Sequence, residues 1–206
     1  MKKQQRHWYH YLWIWSIIYF SLGFVNILFA WLGLISFCLP LIFAIGGGNK
    51  LFCNRYCDRG QFLRVMGSQV GLSLRWEMPE WMKGKAFRYG FMVFFFAMFF
   101  NIIYVSWLVG SEIQGIQEAV TVLWTFQLPW NWTYSAGIAP WVAQFAFGLY
   151  SLMLTSEIIA IVAMLIYKPR SWCVFCPMGT LTQTICKAKY VPTAKYIQIN
   201  IFLSIK

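Results

Sequence analysis

The chain has 206 residues, of which 60% are hydrophobic and 20% aromatic, while only 11% are charged. Because soluble domains carry about 25% charged residues, this composition excludes an ordinary soluble protein and predicts an integral membrane protein. The formal net charge of +11 does not indicate a nucleic-acid-binding protein, since the positive-inside rule and contact with anionic lipid headgroups of the bilayer account for it.

Long apolar runs predict four membrane-spanning helices. From Tyr11 to Asn49 no residue is acidic, basic or histidine, and as one helix this stretch would be roughly 58 Å long against a hydrocarbon core of about 30 Å. Two spans must therefore share it, with a turn around Phe29 to Trp31. The second is so short that a segment entering and leaving the membrane on the same face is an alternative to a full span. The predicted spans are Tyr11 to Leu28, Leu32 to Ile45, Tyr89 to Gly110 and, after the helix-starting Pro140, Trp141 to Tyr167.

The basic residues predict the orientation of these spans. Every lysine and arginine lies before the first span, between the second and third, or after the fourth, and none falls between Arg88 and Lys168. Lysine and arginine near span ends stay in the cytoplasm. We therefore expect a multi-pass protein of the inner (plasma) membrane with both termini in the cytoplasm, on the same face as the segments that follow the second and fourth spans.

Two cysteine pairs, one after each pair of spans, indicate an internal repeat. An even number of spans restores the original orientation of the chain, so the two copies must run parallel, related by a pseudo-two-fold axis along the membrane normal. This arrangement brings both motifs to the same depth and predicts one site at the interface of the halves. The cysteines are Cys53, Cys57, Cys173 and Cys176, and the predicted units are repeat 1 at about 8–66, a basic amphipathic connector at 67–88, repeat 2 at about 89–186 and a tail at 187–206.

Four cytoplasmic thiols in two motifs point to metal or redox chemistry. Cytoplasmic cysteines are kept reduced, so structural disulfides are not expected. Neither motif alone has enough cysteines to hold an iron–sulfur cluster as the bacterial ferredoxin run does, whereas the two motifs together supply a complete ligand set. An iron–sulfur cluster is therefore the leading interpretation. Zinc, which accepts the same four thiolates, and thiol–disulfide exchange by one pair remain alternatives.

Residues at matching positions flank both cysteine pairs. Lys50 and Arg170 lie three residues before the first cysteine of each pair, and Gly60 and Gly179 lie three residues after the second. The cations would offset the negative charge of thiolates and sulfides, and the glycines would let backbone N–H groups approach the sulfurs. The alternative is that the cations only set topology and the glycines only form turns. Short helices whose N-terminal ends favour negative charge are expected at 61–66 and 180–185.

The chain resembles the membrane 4Fe-4S binding proteins of the NapH/NosR/CcoG type, which carry a paired C-x3-C-P motif. The resemblance lies in three stretches, 48–60, 72–88 and 172–179. The resemblance covers roughly residues 10 to 190. It implies a membrane electron-transfer component that exchanges quinol electrons with partner proteins. The sequence departs from the pattern at Asp58, where proline is usual, and in its second motif, which is C-x2-C-P. Many relatives continue into a ferredoxin domain; this sequence has a short apolar tail there, so we expect electrons to pass to a separate redox protein or another membrane subunit.

Glu157 is the one acidic or basic residue within a predicted span. It lies about ten residues, or roughly 15 Å, from the cytoplasmic end of the fourth span and hence near the bilayer centre. Two interpretations stay open: a protonated group that hydrogen-bonds a neighbouring helix, and a proton-transfer group coupled to a bound quinone. Cys38 and Cys186 have no counterpart in the other repeat and are expected to be inert.

These features predict an all-α integral membrane protein that holds a 4Fe-4S cluster and serves electron transfer. A subunit of a membrane oxidoreductase is favoured over a self-contained enzyme, and a quinone is the second expected cofactor. The competing function is an assembly or maturation factor, or a membrane scaffold, of a respiratory metalloenzyme with a structural metal site. A homodimer stays open.

Overall fold

The computed structural model of the protein describes residues 11–47, 52–123, 125–130, 132 and 137–188, and its regular structure is almost entirely helical. The helices are α1 (Trp13–Val25), α2 (Leu32–Gly47), α3 (Asp58–Arg64), α4 (Glu80–Lys83), α5 (Lys85–Gly110), α6 (Pro140–Ile166), α7 (Trp172–Phe175) and α8, over residues 177–188. A 3-10 turn at Ile27–Trp31 precedes α2, π-helical turns at Phe52–Tyr56 and Val65–Gln69 flank α3, and a small antiparallel hairpin pairs β1 (Thr121–Val122) with β2 (Phe126–Gln127).

Within the described part of the chain, three helical segments are long and apolar enough to cross a membrane: Ile27–Gly47, Lys85–Gly110 and Pro140–Ile166. They correspond to the second, third and fourth predicted spans, which confirms an all-α membrane protein. In place of the first predicted span, α1 has 13 residues. Its length of about 20 Å is shorter than a hydrocarbon core of about 30 Å, so the structure supports three full-length spans and one shorter apolar helix.

The turn between the first two apolar helices lies earlier than the sequence predicts. α1 ends at Val25, and Asn26 has an extended backbone (φ −146°, ψ 123°) whose side-chain oxygen accepts a hydrogen bond from the N–H of Leu28 at 3.0 Å. The predicted turn at Phe29 to Trp31 lies within the 3-10 connection Ile27–Trp31, and α2 begins at Leu32 as predicted, but the break in the helix comes earlier, at Asn26. An asparagine that bonds the backbone two residues on competes with the helix and ends it.

α6 is the central helix of the protein. Of its most apolar stretch 61% is buried, against 17% for α5, so α6 is enclosed by the other elements while α5 leaves most of its surface to lipid. One buried cluster surrounds Phe147 and Tyr150, and a second surrounds Leu63, Trp172 and Phe175 near the cysteine motifs. The C-terminal half of α6 therefore forms the support on which both motifs rest.

The chain between α5 and α6 runs back along α6 over residues 113–130, here called the re-entrant segment. Three of its backbone N–H groups donate to polar side chains that lie along one stripe of α6. These bonds are Gln117 N–H to Gln144 Oε1 (2.9 Å), Thr121 N–H to Ser151 Oγ (3.1 Å) and Leu123 N–H to Thr155 Oγ1 (3.2 Å). Thr155 lies about 22 Å along the helix from Pro140, so the segment reaches the middle of the longest span.

Candidate metal centre

The four cysteines of the two predicted motifs border one cavity. The cavity has a volume of about 90 Å³ and lies between the motifs, α2, α5 and α6. A single water needs only about 10–15 Å³ by this measure, so a group of several atoms can fit. All six cysteines of the chain are free thiols. The lining includes Cys53, Cys57, Cys173 and Cys176, both motif glycines Gly60 and Gly179, and residues of both predicted halves such as Phe37, Phe95 and Ser156.

Each motif closes a helical turn directly before its second cysteine. In the first motif the N–H of Cys57 donates to the carbonyl of Phe52 (2.9 Å) and closes a π turn. In the second the N–H of Cys176 donates to the carbonyl of Trp172 (2.9 Å) and closes an α turn. Phe52 and Trp172 each precede the first cysteine of their pair. The extra residue of the C-x3-C motif is therefore accommodated by a wider turn, and both second cysteines directly precede a helix.

The second cysteine of each pair caps the helix that follows it. The sulfur of Cys57 accepts a hydrogen bond from the N–H of Gly60 (3.4 Å) at the start of α3, and the N–H of Gly179 bonds Cys176 at the start of α8. Both helices begin three residues earlier than the sequence predicts, because the capping sulfurs satisfy N–H groups of the first turn. A β-carbon on Gly60 would lie 3.5 Å from Cys57 Sγ and 3.7 Å from Cys173 Sγ, so glycine keeps the space between these sulfurs open.

Burial favours the protonated form of three motif thiols, those of Cys57, Cys173 and Cys176. It raises the pKa of Cys57 well above the ordinary cysteine value, and the adjacent Asp58 carboxylate adds to the rise. Burial likewise raises the pKa of Cys176 to about 11. It also raises the pKa of Cys173, although the Arg170 guanidinium opposes this rise. Thiol–disulfide catalysts need a lowered pKa, so these thiols are not prepared for exchange, and a metal would displace their protons on binding.

Arg170 connects the two motifs. Its Nη2 donates to the carbonyl of Cys53 (3.2 Å), and its side chain also hydrogen-bonds Cys173. Thr182 of α8 lies with its Oγ1 3.7 Å from Cys53 Sγ; a threonine within an apolar helix carries no distinctive signal, so the sequence did not indicate it. Lys50, the predicted counterpart of Arg170, lies outside the described residues.

Arg59 of α3 extends from the cysteine cavity into the membrane domain. Its Nε lies 3.3 Å from Glu157 Oε2, and the two side chains are 19% and 6% exposed. The same guanidinium donates to Ser156 Oγ (2.8 Å) and to the carbonyl of Met153 (3.4 Å). The sequence predicted Glu157 as a solitary acidic residue within a span and did not pair it with Arg59. A buried carboxylate needs a partner of opposite charge. This requirement alone would have predicted that a basic residue contacts Glu157.

No preformed ion site is present in the part of the chain that the structure describes. No three histidine, cysteine, aspartate or glutamate side chains there form a group that could hold a metal ion. The four motif cysteines line a common cavity without forming such a group.

Comparisons of the chain with protein-family models, with curated proteins and with solved structures find no match. The function is therefore inferred from the residues and geometry of the site.

Proposed function

We propose that the protein is an electron-transfer component of the inner membrane that holds a 4Fe-4S cluster between its two cysteine motifs, on the cytoplasmic face. The observation that carries the proposal is that four cysteines from motifs more than a hundred residues apart border one cavity. When bound, such a cluster takes up and releases single electrons. The resemblance of both motifs to the NapH/NosR/CcoG-type proteins supports the same function.

The chemistry around the cavity favours an anionic, polynuclear group. Four cysteine thiolates are the usual ligands of a 4Fe-4S cluster, and the cavity that the four motif cysteines line, at about 90 Å³, has room for a group of several atoms. The N–H groups of Gly60 and Gly179 donate to motif sulfurs, and such hydrogen bonds are one means by which proteins set the potential of a cluster. Arg170 beside Cys173 would offset part of the negative charge.

We also propose that quinol exchanges electrons with this site and that Glu157 handles the accompanying proton. Arg59 lies two residues after Cys57 and contacts Glu157 directly. A change of charge at the cysteines would therefore reach the Glu157 carboxylate through the Arg59 side chain alone. Glu157 borders a cavity of about 260 Å³ whose lining is otherwise apolar apart from Ser16 and Ser21. This apolar cavity with few polar groups is our candidate for the quinone headgroup. A separate redox protein or another membrane subunit would take the electrons onward.

The decisive experiment measures iron and acid-labile sulfide per chain on anaerobically purified protein, with an EPR spectrum after dithionite reduction. About four of each per chain are expected for one 4Fe-4S cluster. Serine at any one of Cys53, Cys57, Cys173 or Cys176 should remove most of the iron, while Cys38→Ala, a thiol outside the cavity, serves as the matched control. Stoichiometric zinc without iron would refute the proposal. Iron losses of half that group by motif would instead indicate two sites, each completed by a second copy or a partner.

A second candidate is a non-redox role, as an assembly factor or scaffold of a respiratory metalloenzyme with a structural metal. The set of four cysteines at one cavity favours it, because structural metal sites use four protein ligands and leave no open coordination position. A redox titration separates the two candidates. A cluster that cannot be reduced within the physiological range of potentials would support the structural role.

A further inference from the structure

The re-entrant segment places non-helical backbone at membrane depth. Between residues 113 and 130 the described regular structure is limited to β1 and β2, yet this stretch lies against α6 down to the level of Thr155. In the hydrocarbon region such backbone is tolerated only where it is buried in protein or lines a water-filled cavity. Three side chains of α6 satisfy three of its N–H groups. The hairpin and bonds such as Leu128 N–H to the carbonyl of Val120 (3.0 Å) satisfy others within the segment.

A large cavity lies between this segment, α5 and α6. Its volume is about 490 Å³, which is within the range of small-molecule sites. Six neutral polar side chains contribute to its wall: Asn101, Gln117, Thr121, Gln127, Gln144 and Ser151. None of the described residues that line it is charged. Side-chain amides both donate and accept hydrogen bonds, so this wall suits water and small uncharged solutes and offers no counter-charge to an ion.

The polar lining has a direction. On α6 it runs from Gln144, close to the helix start, to Ser151, and it stops at Leu152, about 18 Å along the helix from Pro140. Met98 of α5 borders the cavity near this same inner end. The start of α6 and the end of α5 lie at the membrane face opposite the cysteine motifs, so the polar end of the cavity is directed toward that face and its apolar end toward the cysteines.

We propose that this cavity is a water-filled vestibule that opens at the membrane face opposite the cysteine motifs and hydrates the bilayer interior as far as Ser151. It admits water and small uncharged hydrogen-bonding solutes. The vestibule is independent of the metal centre, because its walls share no residue with the cysteine cavity. Its presence accounts for the polar side chains Gln117, Thr121 and Gln127, by which the re-entrant segment lines the cavity.

The test is thiol accessibility on right-side-out membranes with a charged, membrane-impermeant maleimide. Gln127→Cys and Asn101→Cys place thiols at two exposed positions on the cavity wall. Gln114→Cys, at the exposed start of the re-entrant segment, is the aqueous reference, and Val93→Cys on the exposed surface of α5 is the lipid reference. The cavity thiols should react within about tenfold of Gln114→Cys, and Val93→Cys at least about 100-fold more slowly, because the thiolate that reacts forms readily only in water. The unaltered chain, whose own cysteines do not border the cavity, gives the blank.

Two results would overturn the proposal. Cavity thiols that react only with a lipid-soluble maleimide would show that the cavity opens to lipid, and reaction only from the face of the cysteine motifs would show that it opens the other way. As a second measurement, Ala119→Phe fills part of the cavity and should slow the reaction of Gln127→Cys without slowing that of Gln114→Cys. An unchanged rate would also overturn it. Elution of each variant as a single species in detergent shows that it is folded, and none of these rates depends on iron.

Discussion

Removing both charges of the ion pair between Arg59 and Glu157 should cost less stability than the sum of the costs of removing each charge alone. Arg59→Met keeps most of the side-chain length but leaves Glu157, 6% exposed, without a cation. Glu157→Gln keeps the shape of the carboxyl group and leaves Arg59 with its bonds to Ser156 and Met153. The double variant removes both charges, so no uncompensated charge stays in the membrane domain.

The expected magnitudes follow from the contact distance. At the observed 3.3 Å, two unit charges attract by about 5 kcal/mol at an effective dielectric constant near 20. We expect Arg59→Met to lower the free energy of unfolding by about 3 kcal/mol, the lower end of the range for a broken buried pair, because the isolated carboxylate can take up a proton. Glu157→Gln should cost about 2 kcal/mol, since Arg59 keeps its other acceptors. If the double variant costs about 2 kcal/mol, the coupling between the two side chains is about 3 kcal/mol.

Unfolding by SDS in mixed micelles, followed by tryptophan fluorescence, measures all four proteins of this cycle. The pair Lys83 and Glu80 (2.7 Å, with side chains 41% and 88% exposed) provides a matched control cycle. Its coupling should be below about 0.5 kcal/mol, because exposed pairs are solvated and screened. If the costs at Arg59 and Glu157 add to within about 0.5 kcal/mol, the two charges do not stabilise each other and the reasoning fails.

Three further outcomes are expected. Gly60→Ala should leave stability unchanged, because its methyl group makes only ordinary contacts at 3.5 and 3.7 Å. It should nevertheless lower the iron content per chain, because the methyl group fills the space between two sulfurs. Gly90→Ala is the control: nothing lies within 4 Å of the added carbon, so neither stability nor iron content should change. Glu157→Gln should slow reduction of the cluster by quinol and leave dithionite reduction unaffected, and an unchanged quinol rate across pH would make Glu157 purely structural. Cys38→Ala and Cys186→Ala should leave iron content unchanged, and iron loss from either would mean that the ligand set is incomplete.

The membrane class and the position of all four motif cysteines at one cavity were predictable from the sequence, because both follow from patterns that extend over much of the chain. Unbroken apolar runs specify spans, and two cysteine motifs at matching positions specify a shared site. The local details were less accessible. Asn26 carried the signal for the true turn, since its side chain competes with the helix. The first motif has one residue more between its cysteines than the second, and this residue is accommodated by a π turn in place of an α turn. The spacing alone does not predict that conformation.

The re-entrant segment was missed for a different reason. Its strands are two residues long, too short for an alternating pattern, and its low polarity is also that of a loop at a membrane surface. The signal lay on α6 instead. Gln144, Ser151 and Thr155 are seven and four residues apart and so form one polar stripe on an apolar helix. A stripe of this kind needs polar partners at membrane depth, and here the partners are backbone N–H groups.

The separation of the two cysteine motifs along the chain also governs the order in which the protein can mature. Cys57 and Cys173 are more than one hundred residues apart, and at about 5–20 residues per second a ribosome needs roughly 6 s or longer to cover that distance. During this interval the nascent chain presents one thiol pair without α5, α6 or the second motif to enclose it. Any metal delivered then would meet half a ligand set. A cluster of the kind proposed here would therefore have to be inserted into the finished chain, after both halves have entered the membrane.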